Sequence, residues 1–193
     1  VPFALGSQTA ASIIRPASFC GVYAMKPSFG LIPRTGSLKT TDSLDTVGFF
    51  TSNPLDLRTG LECCRVKGPN FPFSHKIFSE HQVKKPPFKL AYIQGHLDFN
   101  FPEYALDSYK KTVNNLSLLP LLSIEKLEFP EKLHSSHEVH STIYEKSLSY
   151  YFQQEALLLD GISPIMKELI SKGKNITPKS YFSALRDQEL ICD

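Results

Sequence analysis

The sequence predicts an α/β fold: a mixed, mostly parallel β-sheet core flanked by helices on both faces. Three observations carry that prediction. Residues 88–129 read as strand, helix and strand with short links, a pattern that favours a right-handed crossover and parallel pairing. The first 60 residues alternate short apolar runs with glycine-punctuated turns. Further on, Ser163-Pro164 and Thr177-Pro178 each place a capping side chain before a proline suited to the first turn of a helix.

The elements follow in order. Gly6 to Ser12 is a turn of small residues, followed by a buried strand around Gly21 to Met25 and another at Phe49-Phe50-Thr51. Leu55, Leu57 and Leu61 predict a helix over residues 55–64. Lys67 to Pro87, rich in proline and polar residues, reads as a long surface loop. Phe88 to Ile93 is the strand of a new unit. The helix after it, Glu103 to Leu119, sets Ala105, Tyr109, Val113 and Leu116 on one face, and Leu121 to Phe129 returns as a strand. Glu131 to Leu159 is mostly helical, with Val139, Ile143, Tyr144, Leu148 and Tyr151 tracing an apolar stripe. The two capped helices come last, and Gly173 is expected to close the first of them.

The 193 residues carry 21 Lys and Arg against 19 Asp and Glu, a formal charge of +2. Charges of both signs are mixed, and Lys84-Lys85 and Lys110-Lys111 are isolated doublets. A nucleic-acid surface needs clustered cations, so no nucleic-acid partner is expected. No apolar run approaches the ~20 residues of a membrane span, and no membrane partner is expected. Cys20, Cys63, Cys64 and Cys192 form neither a CxxC motif nor a zinc knuckle. They read as buried free thiols of a reducing, cytoplasmic protein.

The chemistry concentrates in Gly6-Ser7-Gln8-Thr9-Ala10-Ala11-Ser12-Ile13-Ile14-Arg15-Pro16. Small side chains let the backbone bend sharply and leave successive N–H groups free to face a developing anion. Ser12 stands at the rim of that nest as a candidate nucleophile. A serine in such a turn is more often a plain turn or cap residue, so the run needs support from its surroundings.

That support lies in Ala17-Ser18-Phe19-Cys20-Gly21-Val22, Met25-Lys26-Pro27-Ser28-Phe29-Gly30 and Ser43-Leu44-Asp45-Thr46-Val47-Gly48. Together with the opening run they resemble the amidase signature family, densely from Leu5 to about Pro54. The resemblance is looser beyond, though Ile176 to Leu185 resembles a late helix of the family. It implies an amide hydrolase that acts through Ser12 and an acyl-enzyme, with the backbone N–H groups of Thr9, Ala10, Ala11 and Ser12 as the oxyanion site. It implies a small-molecule amide substrate, no cofactor and no metal; a homodimer is a further expectation. The family's triad is Ser–cis-Ser–Lys, and neither the lysine nor the bridging serine maps onto this chain. The chain is therefore expected to be one partial amidase domain over residues 1–193, a central fragment inactive when isolated. Residues 1–60 form its signature block, 67–87 its surface loop and 88–193 its α/β and helical segment.

Two alternatives from other classes stand beside that reading. One is the glutaminase-type subunit of a tRNA-dependent amidotransferase; the other is an inactive remnant or binding module. Lys26 and Lys39 are the lysines of the signature block, but Lys26 reads as part of a structural turn and Lys39 as a solvated loop charge. Asp42 and Asp45 flank Leu44, and the resemblance makes the acid of Ser-Leu-Asp structural. Ala10 and Ala11 stand where the family has glycines, and Gln8 stands where an acid is more usual. Arg15 is read as a structural or substrate-carboxylate partner. His134, His137 and His140 step by three, so the set rotates about the helix and reads as a solvated face, not a metal site.

Overall fold

A computed structural model describes residues 1–71, 74, 85–93, 101–157 and 162–192. Strand β1 (Phe3–Gln8), helix α1 (Ile14–Cys20), β2 (Tyr23–Met25), β3 (Thr46–Thr51) and α2 (Pro54–Cys64) occupy the signature block. The strands form one sheet in the order β1-β3-β2, antiparallel at both pairings. β3 takes the centre because Thr-Val-Gly-Phe-Phe-Thr is uncharged, β-branched and aromatic, suited to burial on both faces. Phe49 is fully buried and stacks on Phe3, with ring centroids 5.0 Å apart. Asn53 caps α2 through its side chain, which accepts from the Leu55 N–H at 3.0 Å, and Pro54 follows in the first turn.

β4 (Phe88–Tyr92), α3 (Glu103–Ser117) and β5 (Leu122–Lys126) form the expected strand–helix–strand unit, and its strands pair in parallel. Tyr109 on α3 packs on Tyr92 at 5.3 Å between ring centroids and donates its hydroxyl to the Ile93 carbonyl at 3.0 Å. Parallel pairing thus holds for this second sheet, whereas the first is antiparallel. Strand direction in the first block is set by which apolar runs meet through their turns, and runs as short as these do not encode it. The loop expected over residues 67–87 falls largely outside the described residues.

The helical layer consists of α4 (Ser136–Tyr151), α5 (Pro164–Asn175) and α6 (Pro178–Cys192). The region from Glu131 is mostly helical as expected, with short 3-10 turns at Glu131–Leu133 and Glu155–Leu157 flanking α4. Val139, Ile143 and Ala184 are buried together, with Leu44, Tyr181, Leu185 and Ile191 packed on them. Leu44 comes from the signature block, so the helices grip the loop that leads into β3. Gln188 donates to the Ser43 carbonyl at 3.2 Å, and the Tyr151 hydroxyl donates to Asp42 at 2.6 Å. That bond to Asp42, with burial second, pushes the Tyr151 phenol up to about 12.

Ser163 caps α5 as expected, accepting from the Met166 N–H at 3.3 Å. Gly173 does not close that helix, which continues to Asn175. It is the close-approach point between α5 and α4: a Cβ there would run into the Glu145 carbonyl oxygen. The cysteines are free but not buried; Cys20, Cys63 and Cys192 are exposed and Cys64 half-buried. No helix among the described residues is long and apolar enough to cross a membrane.

Candidate active site

β1 delivers the chain into the small-residue turn and α1 carries it away. Thr9 to Ile13 lie between the two, so Ser12 sits outside any regular element, exposed at the exit of the turn. The turn closes because Ala11 adopts φ 62°, the left-handed region. Its carbonyl then accepts from the Arg15 N–H at 3.0 Å. A residue with a Cβ is strained there, and glycine is not. Ala11→Gly is therefore expected to stabilise the chain by about 1 kcal/mol, raising the melting temperature by roughly 2–4 °C in calorimetry. An unchanged or lower melting temperature would contradict that backbone reading.

Gln8 has a part that the sequence did not announce. Its side-chain oxygen accepts from the N–H groups of Ile13 and Ile14, at 2.9 and 3.1 Å. An uncharged amide here satisfies two first-turn donors of α1 without placing a negative charge beside the turn. Ile13 is fully buried beneath and anchors the turn to the sheet. Among the described residues, no hydrogen bond is made by the N–H groups of Thr9, Ala10, Ala11 and Ser12, or by the Ser12 hydroxyl.

Thr9 is fixed by a buried carboxylate. Asp45 Oδ1 accepts from the hydroxyls of Thr9, Thr40 and Thr41, at 2.7, 2.7 and 3.0 Å. Oδ2 accepts from the N–H groups of Thr40 and Thr41 and from Arg34 Nη1, at 2.8, 3.0 and 3.2 Å. Burial pushes the Asp45 carboxyl up, but the bonds from Thr41, Thr40 and Thr9 outweigh it and hold the group below its ordinary value. This is a fully employed structural acid with no lone pair directed at Ser12.

Arg15 lies one helical turn beyond Ser12, exposed, and with Ser12, Pro16, Phe19 and Cys20 it lines an open hollow. Lys26 donates its ammonium to the Pro27 carbonyl at 2.8 Å, and Lys39 lies 3.6 Å from Asp42 and over the Tyr151 ring. Both are committed to local structure.

The three histidines do not share a solvated face. His134 precedes α4 and stacks on Phe129 at 5.6 Å, His137 is exposed, and His140 is half-buried against Tyr144 at 5.8 Å. No group of metal-ligating side chains is assembled among the described residues.

Known proteins share sequence and fold with this chain. A glutamyl-tRNA(Gln) amidotransferase subunit from Thermus thermophilus is 31% identical over 137 residues, covering 67% of this chain and 28% of the relative. The corresponding subunit from Macrococcus caseolyticus is 50% identical over 62 residues, covering 32% of this chain and 13% of the relative. The chain thus spans only a fraction of these relatives' length. Among solved structures, a crystal structure of an amidase superposes with a TM-score of 0.74 at 22% identity, over 98% of this chain and 41% of that one. A 6-aminohexanoate cyclic dimer hydrolase does so with a TM-score of 0.70 at 19% identity, over 98% of this chain and 43% of that one. Those two likenesses show the fold. The family model described as Amidase matches residues 1–183, and this chain belongs to the amidase family.

Proposed function

We propose that this chain carries the nucleophile block of an amide hydrolase, with Ser12 as the nucleophile. The observation that supports it best is an exposed serine at the exit of a turn whose N–H groups, from Thr9 to Ser12, have no partner among the described residues. Ser12 Oγ attacks the amide carbonyl carbon, and the oxygen that becomes negative is met by those N–H groups. Collapse of the adduct expels the amine, which takes up the proton lost by Ser12. Water then cleaves the acyl ester and regenerates the serine. Arg15, on the same side of α1, serves as substrate or structural support.

The proton of Ser12 needs a base, and an unactivated hydroxyl is a weak nucleophile at neutral pH. Lys26 and Lys39 are engaged elsewhere, and the lysine and bridging serine that the resemblance to the amidase signature family implies do not map onto this chain. The substrate on this reading is a small-molecule amide. The unpaired cysteines suit a reducing compartment such as the cytoplasm, and a homodimer remains part of the proposal.

Acylation by a fluorophosphonate probe tests the reading. A complete amidase domain containing this chain is expected to label, its Ser12→Ala variant not to, and the isolated 193 residues to label negligibly. Amide hydrolysis that survives Ser12→Ala would overturn the assignment. Labelling of the isolated chain at the rate of the whole domain would place a base within it.

A second reading, the glutaminase-type subunit of a tRNA-dependent amidotransferase, is favoured by the names of the curated relatives. Ammonia release from glutamine that requires both tRNA and a partner protein would separate it from a stand-alone hydrolase.

A further inference from the structure

Asp42, Ser43, Leu44 and Asp45 follow one another in the loop that enters β3, and each is held by a different contact. Asp42 Oδ1 accepts from the Tyr151 hydroxyl at the end of α4, at 2.6 Å. The Ser43 carbonyl accepts from Gln188 Nε2 on α6, at 3.2 Å. Leu44 packs on Val139, Ile143 and Ala184, the buried cluster that joins those same two helices. Asp45 turns the other way and accepts from the Thr9 hydroxyl at 2.7 Å. Three successive residues are thus tied to the helical layer, and the fourth is tied to the turn that carries Ser12.

One guanidinium keeps the two ends of this loop in register. Arg34 Nη2 donates to the Asp42 carbonyl at 2.6 Å, and Nη1 donates to Asp45 Oδ2 at 3.2 Å. Planar peptide bonds leave few soft torsions between Asp42 and Asp45, so a displacement at Asp42 or Ser43 is passed on to the Asp45 carboxylate. The two handles lie 109 and 145 positions from the residues they hold, so they exist only once the helices have docked. Neither Tyr151 nor Gln188 lines the hollow at Ser12, and the proposed chemistry uses neither. The bond to Asp42 is the largest cause holding the Tyr151 phenol up at about 12, so the hydroxyl remains a donor throughout the neutral range.

We propose that Tyr151 and Gln188 are positioning residues for the turn Thr9–Ser12, acting through the loop 42–45. The helical layer serves the site by fixing Thr9, and with it the direction of the N–H groups that follow. The effect on catalysis rests on the proposed reading of those N–H groups as the oxyanion site; the mechanical link from α4 and α6 to the turn does not. Oxyanion donors act on charge that develops only in the transition state. Loosening them therefore slows the chemical step and leaves binding of the reactant unchanged.

The test compares a complete amidase domain containing this chain with its Tyr151→Phe/Gln188→Leu variant, which loses both handles and keeps Thr9, Arg34 and Asp45. The first readout is amide hydrogen exchange at Ile13, Ile14 and Arg15. Their N–H groups are bound across the turn, to the Gln8 side chain and the Ala11 carbonyl, and their exchange is expected to quicken in the variant. The second readout is acylation by the fluorophosphonate probe over a range of probe concentrations. The maximal rate should fall by about tenfold, less than the ~10²–10³ for losing an oxyanion donor outright, at an unchanged half-saturating concentration. Ile170→Val, a contraction of a buried side chain in α5 that leaves both handles in place, controls for general destabilisation. It should leave exchange at Ile13 to Arg15 as in the wild type.

Unchanged exchange at those three residues in the double variant would overturn the proposal, as would equal acceleration in Ile170→Val. A higher half-saturating concentration at constant maximal rate would also overturn it, because it marks a binding role. If the double variant does not fold, Tyr151→Phe, which removes a single hydroxyl, decides by the same two readouts. Exchange that responds as expected in a domain the probe never labels supports the link and counts against the Ser12 assignment alone.

Discussion

Asp45→Ala is expected to destabilise the chain by about 3–5 kcal/mol, the usual cost of removing one partner from a buried charged network. The carboxylate is the common acceptor for Thr9, Thr40, Thr41 and Arg34. Alanine would strand two backbone N–H groups and loosen a guanidinium, each carrying its own desolvation cost. Thr41 is fully buried, so water cannot replace the lost acceptor without opening the loop. Against a total stability of about 5–15 kcal/mol for a domain, the loss is large enough to leave much of the chain unfolded. Asp45→Asn keeps the shape and one acceptor but turns an NH₂ toward donors, and it should fall between wild type and alanine. Urea denaturation followed by circular dichroism measures all three. A loss below about 1 kcal/mol for alanine would show that the network is not what holds the loop.

The pH dependence of that contribution has a definite sign. The folded carboxyl lies below its ordinary value of 3.8, so its stabilisation is present above that value and is lost as pH falls through the folded one. That dependence should be absent from Asp45→Ala.

Local patterns were legible and distant meetings were not. The strand–helix–strand unit was readable because β4 and β5 carry apolar residues between clear breaks and α3 repeats its apolar face. The caps at Ser163-Pro164 and Thr177-Pro178 act within a few residues, so sequence spacing alone locates such starts. The turn Thr9–Ser12 was marked by small side chains, and the structure puts Ser12 at its exit. By contrast, Phe3-Ala4-Leu5-Gly6-Ser7-Gln8 shows no clean alternation, and its membership of β1 is decided by its partner β3. The cap that Gln8 supplies depends on the path of the turn around its side chain. Gly173 looked like a terminator because glycine often is one. Only the approach of α4 shows that it is a contact point.

Gly48→Ala is the second substitution expected to have a large effect, and it acts on the site through packing alone. Gly48 lies in the middle of β3, opposite Gly6 on β1. A Cβ built there would run into the Met25 carbonyl oxygen and would lie 2.7 Å from Ile13 Cδ1. The first contact is with backbone, in the strand that flanks β3 on its other side, so a rotamer change cannot relieve it. The second is with the fully buried side chain that anchors the turn. Overfilling a packed interior typically costs about 1–3 kcal/mol, and the backbone neighbour puts this case at the upper end. The strain has two outlets: β2 peels from β3, or Ile13 rises and lifts the turn carrying Ser12. Amide hydrogen exchange separates them. Faster exchange in β2 and β3 marks the first, and changed shifts at Ala10 to Ser12 with β2 protected mark the second. Wild-type stability with both regions unchanged would mean that β3 does not pack against Ile13 and Met25 as described.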